Sequence, residues 1–140
     1  MALVAIAAFF LSLRRSKDIT PPQNCKQANP RERVTVTFTP RSDTNFSFEV
    51  DPWEVVVTRG RPLRWELTGP RGSTIEIKPK DENDWPFPPF TGGPVGGPNR
   101  PVQAGNANQN ANRPAPYRYS IILKHDGKTF DIDPEIYIWM

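Results

Sequence analysis

The 140-residue sequence predicts an all-β protein: a two-sheet antiparallel sandwich of about seven to eight strands, preceded by a short N-terminal hydrophobic helix. Short runs of alternating apolar and polar residues recur throughout residues 31–140, and no helical period appears among them. In addition, 17 prolines and nine glycines divide these runs with turns. A chain of this length has room for one domain of ordinary size.

The N-terminal segment predicts a membrane anchor helix over residues 1–17. Residues 2–13 are almost entirely apolar, and a basic cluster of Arg14, Arg15 and Lys17 follows them. A helix of that length covers roughly 18 Å, which is less than the roughly 30 Å of a bilayer's hydrocarbon core. A cleaved signal peptide carries its positive charge before the apolar stretch, so we expect an uncleaved anchor. The residues predicted to contact the membrane are Leu3, Val4, Ile6, Phe9, Phe10, Leu11, Leu13, Arg14 and Arg15.

Three forms of this anchor stay open. The helix enters one leaflet with Arg14 and Arg15 at the headgroups, is completed by partner helices in a membrane complex, or spans from a start upstream of Met1. In each form membrane lipid is a partner of the protein. The alternative that involves no membrane is an apolar helix packed on the core of the soluble domain. If the helix spans, the positive-inside rule places the domain after it on the cytoplasmic side.

Residues 18–30 predict an extended, proline-containing linker. The segment is polar, has no hydrophobic period and contains Pro21, Pro22 and Pro30. It also holds Cys25, the single cysteine of the chain, which has no second cysteine for an internal disulfide.

Eight runs in residues 31–140 have the period of two that is typical of half-buried strands. In the first run, Val34, Val36 and Phe38 alternate with threonines, so we expect their side chains in the core. Trp65 has the same inward position in a later run. The predicted strands are 34–40, 46–52, 53–60, 63–67, 73–79, 117–124, 129–132 and 135–140.

Two of these stretches resemble cupredoxin-like domains. The run FEVDPWEVVVTRGRPLRWEL at 48–67 looks like the corresponding part of that family. The ending YRYSIILKHDGKTFDIDPEIYIWM at 117–140 is similar to the closing hairpin of small copper-free sandwiches of the same type. The resemblance implies a β-sandwich of the cupredoxin or immunoglobulin kind.

The copper site that the resemblance implies does not carry over to this sequence. A blue-copper site needs two histidines, a cysteine thiolate and usually an axial methionine. The sequence has only His125, places Cys25 in the linker and ends in Met140 with no cysteine near it. Where a ligand histidine would follow the tryptophan strand, the sequence reads Gly-Pro-Arg-Gly at 69–72. We therefore expect neither copper nor any other cofactor.

Other chemistry has little support in the sequence. The net charge of +3 comes from scattered lysines and arginines, so we do not expect a nucleic-acid partner. No catalytic triad, phosphate-binding loop or dinucleotide fingerprint occurs, which predicts a protein that is not an enzyme. Asp131 and Asp133 project from one strand face and would suit a hard cation such as calcium, although a solvated strand face is the simpler interpretation.

A Pro/Gly/Asn-rich insertion at 81–116 interrupts the strands and is longer than most loops of compact domains. Its first half contains WPFPPF, whose prolines prevent ordinary strand pairing. The aromatic residues there either dock over their own sandwich as a lid or dock into a partner. The second half, GNANQNANRPAP, is polar and predicts a segment that stays mobile or drapes along a partner. The residues predicted to bind a partner are Trp85, Phe87, Pro88, Pro89 and Phe90.

These features predict a non-catalytic, membrane-anchored accessory or scaffolding subunit. It would bind larger membrane-complex proteins through its sandwich and its long loop. An alternative is an envelope-associated sandwich that binds a ligand or carbohydrate, with Trp85 as a stacking platform. A metal-binding or catalytic domain that uses Asp131 and Asp133 is the third hypothesis.

Overall fold

The computed structural model describes residues 13–15, 29–111 and 116–139. These residues form an all-β, sandwich-like fold of eleven strands in two sheets, with one short 3-10 helix at Glu82–Asp84. The strands are β1 (Leu13–Arg15), β2 (Arg33–Pro40), β3 (Phe46–Asp51), β4 (Glu54–Thr58), β5 (Pro62–Thr68), β6 (Thr74–Pro79), β7 (Val95–Gly96), β8 (Val102–Asn106), β9 (Tyr117–His125), β10 (Lys128–Ile132) and β11 (Glu135–Trp139).

Sheet one has the strand order β1-β3-β2-β5-β8, and sheet two has the order β4-β11-β9-β6-β7 with β10 paired to β9. The prediction of two sheets is confirmed. The prediction that both are antiparallel is wrong, because β1 pairs parallel to β3, β2 to β5, and β4 to β11. The chain crosses to the other sheet between β2 and β5, so no hairpin forces those two strands to be antiparallel.

The eight predicted strands all form, because their alternating side chains have an apolar face to bury. Val34, Val36 and Phe38 are buried in β2, and Trp65 is fully buried in β5. Apolar residues of both sheets join in one core cluster, which supports face-to-face packing of the sheets. Two strands depart from this pattern with buried apolar side chains on both faces: in β4 Val56 is buried as well as Val55 and Val57, and in β11 Tyr137 is buried as well as Ile136 and Ile138.

The insertion at 81–116 contains structure that the sequence did not predict. β8 lies within the insertion and pairs antiparallel with β5, whereas the sequence predicted no strand there. Only Gly105 and Asn106, at the end of β8, belong to the polar segment 105–116 that was expected to stay mobile or to drape along a partner, and residues 112–115 of that segment lie outside the described residues. Val102 and Ala104 are buried on either side of the exposed Gln103, so the segment has a strand period after all. Alanine is small enough to fill a narrow site in the core, and the polar composition around it concealed this period.

The N-terminal predictions fall mostly outside the described residues. Leu13, Arg14 and Arg15 are extended and pair with Phe48–Val50 of β3, whereas the sequence placed them in a helix. An edge strand such as β3 has unpaired backbone groups that this segment satisfies. No helix in the described ranges is long and apolar enough to cross a membrane. The predicted anchor residues that lie outside the described ranges are Leu3, Val4, Ile6, Phe9, Phe10 and Leu11.

Candidate functional site

A groove of about 520 Å³ lies between β6 and the segment at 82–94. Its volume is within the range of known ligand pockets, roughly 300–1,000 Å³. All five residues predicted to bind a partner line it, together with residues of β6. We call this feature the aromatic groove. Its lining residues are Glu76, Ile77, Lys78, Pro79, Glu82, Trp85, Phe87, Pro88, Pro89, Phe90, Gly93 and Pro94.

The local sequence explains why the chain arches away from the sheet at this point. After β6, the carboxylate of Asp81 accepts a hydrogen bond of 3.0 Å from the backbone N–H of Asn83 and caps the 3-10 helix. The prolines that follow lack an N–H group and cannot continue a ladder. The chain returns to the sheet at Pro94, whose carbonyl accepts a hydrogen bond of 2.9 Å from Ile77. The space left beside the end of β6 is the aromatic groove.

The aromatic side chains of this segment divide between the core and the groove. Phe87 is only 5% exposed and belongs to the core, so this ring docks over its own sandwich, as one of the two sequence interpretations expected. Trp85 and Phe90 pack against the core but stay partly exposed, with ring centroids 6.1 Å apart. Pro88 and Pro89 are exposed. The groove therefore presents apolar surface on a segment that is fixed at Phe87.

The floor beneath this segment is a buried pair of polar aromatics. The indole N–H of Trp65 donates a hydrogen bond of 3.0 Å to the hydroxyl of Tyr119. Burial raises the pKa of Tyr119 well above its ordinary value of 10.0, and the hydrogen bond from Trp65 offsets only part of this rise. Trp85 lies 6.1 Å from the Tyr119 ring, and Phe90 lies 6.3 Å from the Trp65 ring. Sequence reasoning missed the role of Tyr119, since nothing in a strand pattern pairs it with a tryptophan 54 positions earlier.

The indole nitrogen of Trp85 differs from that of Trp65. It is shielded from solvent and has no hydrogen-bond partner in the part of the chain that the structure describes. A buried donor without an acceptor costs about 1–3 kcal/mol. Trp85, which lines the groove, thus has a buried N–H group without an acceptor among the described residues.

Charged side chains surround the aromatic groove. Glu76 and Glu82 line it together with Lys78, and no ion pair involves these three among the described residues. Asp81 adds a further exposed carboxylate next to Glu82. The rim is acidic overall, in contrast to the net charge of +3 of the whole chain.

The second predicted site, at Asp131 and Asp133, is occupied by internal contacts. Asp133 forms an ion pair of 2.9 Å with Lys80 and accepts a hydrogen bond of 3.1 Å from Ser120. Partial burial opposes ionisation, but the contacts with Lys80 and Ser120 hold the pKa of Asp133 below its ordinary value. The described residues contain no group of three or more histidine, cysteine or carboxylate side chains that could hold a metal ion.

His125 is the single histidine of the sequence, and it also has partners within the fold. Its Nδ1 atom lies 3.2 Å from the hydroxyl of Ser73, and its ring meets Phe38 edge-on at 5.3 Å. A smaller cavity of about 200 Å³ lies beside it, with Arg41 and Asp43 in its lining. Cys25 lies outside the described residues.

Comparisons of the chain with models of protein families and with curated proteins find no match. The two packed sheets are compatible with the predicted sandwich, and no family match identifies it as cupredoxin-like or immunoglobulin-like. The functional argument therefore rests on the aromatic groove.

Proposed function

We propose that this protein is a non-catalytic accessory or scaffolding subunit that is held at a membrane by residues 2–13 and binds a larger protein of a membrane complex. In this proposal a copper-free sandwich of the cupredoxin or immunoglobulin kind is the scaffold, and it lies on the cytoplasmic side. The observation that carries the proposal is the aromatic groove, where Trp85 and Phe90 stay partly exposed on a segment fixed to the core.

The composition of the groove suits a protein partner. Aromatic residues dominate binding energy at protein interfaces because they bury a large area with few rotatable bonds. Phe87 holds the segment against the core, so a partner would not have to order a free loop before it binds. Prolines 88 and 89 restrict the same backbone further.

The position of β1 supports a membrane-proximal arrangement. Leu13–Arg15 pairs with β3 at the edge of sheet one. A helix formed by the residues before Leu13 would therefore start directly at this sheet edge. In this proposal the sandwich lies close to the headgroups, where Arg14 and Arg15 meet anionic lipid.

The main test is native purification of the tagged full-length protein from its own membranes in mild detergent, followed by mass spectrometry. We expect a stoichiometric complex with the wild type, loss of the partner in Pro89→Glu, and retention in Pro101→Glu. Both prolines are exposed in the same insertion, but Pro101 does not line the aromatic groove. A wild-type protein that migrates alone, or a complex that survives Pro89→Glu, would contradict the proposal.

The anchor has a separate test. Replacing Phe9 and Phe10 with aspartate puts two charges into the apolar stretch, each of which costs about 2.5–3.5 kcal/mol at the centre of a membrane helix. We expect the double variant to move from the membrane fraction to the soluble fraction. If the wild type is already soluble after fractionation, the membrane part of the proposal fails.

A second candidate function, the binding of a carbohydrate or other small ligand at a cell envelope, has one specific observation in its favour. The partly exposed indole of Trp85 lies beside the carboxylates of Glu76 and Glu82, and such a surface offers stacking and hydrogen-bond acceptors together. A saturable change in tryptophan fluorescence on titration with neutral oligosaccharides, lost in Trp85→Ala, would favour this candidate.

A further inference from the structure

Building on the proposed function, we infer that the aromatic groove binds an extended, proline-containing segment of the partner in polyproline II conformation. A lysine or arginine next to the prolines of that segment meets the acidic rim. Four features of the groove lead to this ligand class: its rings, its backbone, its unused N–H group and its charge.

The rings have the arrangement that a proline ligand needs. Trp85 and Phe90 are inclined to each other by 38° with their centroids 6.1 Å apart, so they form an open aromatic wall rather than a closed stack. Proline-rich segments bind aromatic-lined grooves of this kind because their backbone is already extended and loses little entropy on binding.

The groove backbone argues against the other common mode, the addition of a β-strand to β6. That mode needs backbone N–H groups along the edge to which the new strand is added. Pro79, Pro88, Pro89 and Pro94 line the aromatic groove and have no N–H group. The N–H of Ile77 already donates to the carbonyl of Pro94. A ligand that does not need a ladder of backbone donors fits this surface better.

The indole N–H of Trp85 supplies the donor that such a ligand uses. Polyproline II has no internal hydrogen bonds, so its carbonyl groups are free to accept. The N–H group is shielded and unpartnered in the described structure, while part of the indole is exposed. A rotation of the side chain towards the groove would bring the N–H group to a ligand carbonyl and remove the cost of the unpaired donor.

The acidic rim selects the charge of the ligand. Glu76 and Glu82 make no ion pair among the described residues and border the same cavity as Trp85. These two carboxylates outnumber Lys78, the lysine in the same lining, so a cationic side chain beside the prolines would pair with one of the glutamates more favourably than an acidic side chain with Lys78.

The ends of the chain's own linker lie away from the aromatic groove. The segment with Pro21 and Pro22 runs from Leu13–Arg15 at the edge of sheet one to Arg31, whose N–H donates to Val56 of β4. β4 and β6, beside which the groove lies, are three strand spacings apart in sheet two, roughly 14 Å at about 4.8 Å per spacing. The linker would reach the groove only by crossing sheet two and returning, and we therefore assign the ligand to another molecule.

The test is a fluorescence-anisotropy titration of the full-length protein in detergent with the labelled peptide Ala-Pro-Pro-Leu-Pro-Pro-Arg. We expect saturable binding that is lost when alanine replaces the four prolines and weakened at least threefold when glutamate replaces the arginine. Trp85→Phe keeps an aromatic ring but lacks the N–H group, and we expect it to weaken binding by about threefold to tenfold. Glu82→Gln should weaken binding of the arginine peptide, while Glu49→Gln, on the exposed face of β3, should not.

The outcomes separate this inference from the proposed function. A membrane complex that depends on Pro89, together with no peptide binding, would overturn the inference and leave the accessory role intact. Peptide binding that is weakened in Trp85→Phe, without any membrane complex, would support the groove chemistry and overturn the accessory role. Peptide binding that is the same in Trp85→Phe and Glu82→Gln would show that the aromatic groove is not the site. Thermal unfolding of each variant by circular dichroism verifies that it is folded.

Discussion

The indole nitrogen of Trp65 donates a hydrogen bond of 3.0 Å to the hydroxyl of Tyr119, and neither side chain is exposed to solvent. Trp65 lies in β5 of sheet one and Tyr119 in β9 of sheet two, so this bond joins the two sheets inside the core. Trp85 and Phe90 pack on the same pair from the side of the groove. The stability of the core and the shape of the aromatic groove therefore depend on the same contact.

Tyr119→Phe should lower the free energy of unfolding by about 1–3 kcal/mol, because it leaves the buried N–H of Trp65 without an acceptor. The measurement is urea denaturation followed by circular dichroism. A double-mutant cycle with Trp65→Phe isolates the hydrogen bond from the loss of packing. If the two substitutions have additive effects, the hydrogen bond does not stabilise the fold.

The same tyrosine should make the protein sensitive to alkali. Burial raises the pKa of Tyr119 above its ordinary value of 10.0, so the unfolded chain loses this proton first as pH rises. The stability contributed by the neutral phenol is fully present below pH 10.0 and falls above it by about 1.4 kcal/mol per pH unit. Urea denaturation at several pH values above 10 should show this slope for the wild type and a shallower slope for Tyr119→Phe.

Trp85→Phe should not lower the free energy of unfolding, in contrast to Tyr119→Phe. It removes a shielded N–H group that has no acceptor among the described residues, and it keeps an aromatic ring beside Phe90 and Tyr119. Removing an unpaired buried donor stabilises the fold by about 1–3 kcal/mol, which offsets the packing that is lost with the smaller phenyl ring. We expect a free energy of unfolding equal to or above that of the wild type by urea denaturation. A clear loss of stability would mean that this N–H group has a partner in solution.

The strands were predictable where a local period exists. Threonines alternate with Val34, Val36 and Phe38, and this alternation alone placed β2 correctly with its apolar face inward. The same rule applies to Val102 and Ala104 of β8, but the alternation covers only these few residues, and β8 was not among the predicted strands. A small buried alanine has little hydrophobic signal of its own, because its burial depends on the partner strand β5.

Features that depend on distant residues could not be predicted. Parallel pairing of β2 with β5 follows from the path between the sheets, which no local pattern contains. The prolines of WPFPPF correctly predicted a segment that leaves the sheet. Whether each aromatic ring is buried or exposed depends on where this segment lies against the core. For this reason Phe87, which was expected at a partner surface, is buried, while Trp85 and Phe90 line the aromatic groove.

Lys80→Ala should raise the pKa of Asp133 towards its ordinary value of 3.8, since the ammonium group is 2.9 Å from the carboxylate. A lowered pKa in the folded state stabilises the fold above about pH 3.8, and this contribution is lost as pH falls through the lowered value. NMR titration of the Asp133 carboxyl carbon measures the shift. Lys124→Ala, an exposed lysine on β9 with no ion pair to Asp133 among the described residues, should leave this pKa unchanged. An unchanged pKa in Lys80→Ala would show that the ion pair is not formed in solution.

The two adjacent glycines Gly96 and Gly97 should tolerate alanine very differently. A methyl group on Gly96 would collide with the backbone carbonyl of Arg100 and would lie 2.9 Å from a methyl group of Val102. Backbone cannot move aside as a flexible side chain does, so Gly96→Ala should destabilise the protein by about 1–3 kcal/mol. A methyl group on Gly97 has its nearest contact at 3.4 Å, with the carbonyl of Ser73, so Gly97→Ala should change stability by less than about 1 kcal/mol.

This pair of variants also tests whether β7 positions the aromatic groove. Gly96 pairs with Ile75 of β6, and Pro94, two residues earlier, accepts the hydrogen bond from Ile77 that closes the groove wall. Displacement of β7 in Gly96→Ala should therefore move Pro94 and weaken peptide binding severalfold, under conditions where the variant is still folded. Anisotropy titrations of both variants with the arginine peptide provide the comparison. Equal affinities in Gly96→Ala and Gly97→Ala would mean that the groove keeps its shape without the β6–β7 pairing.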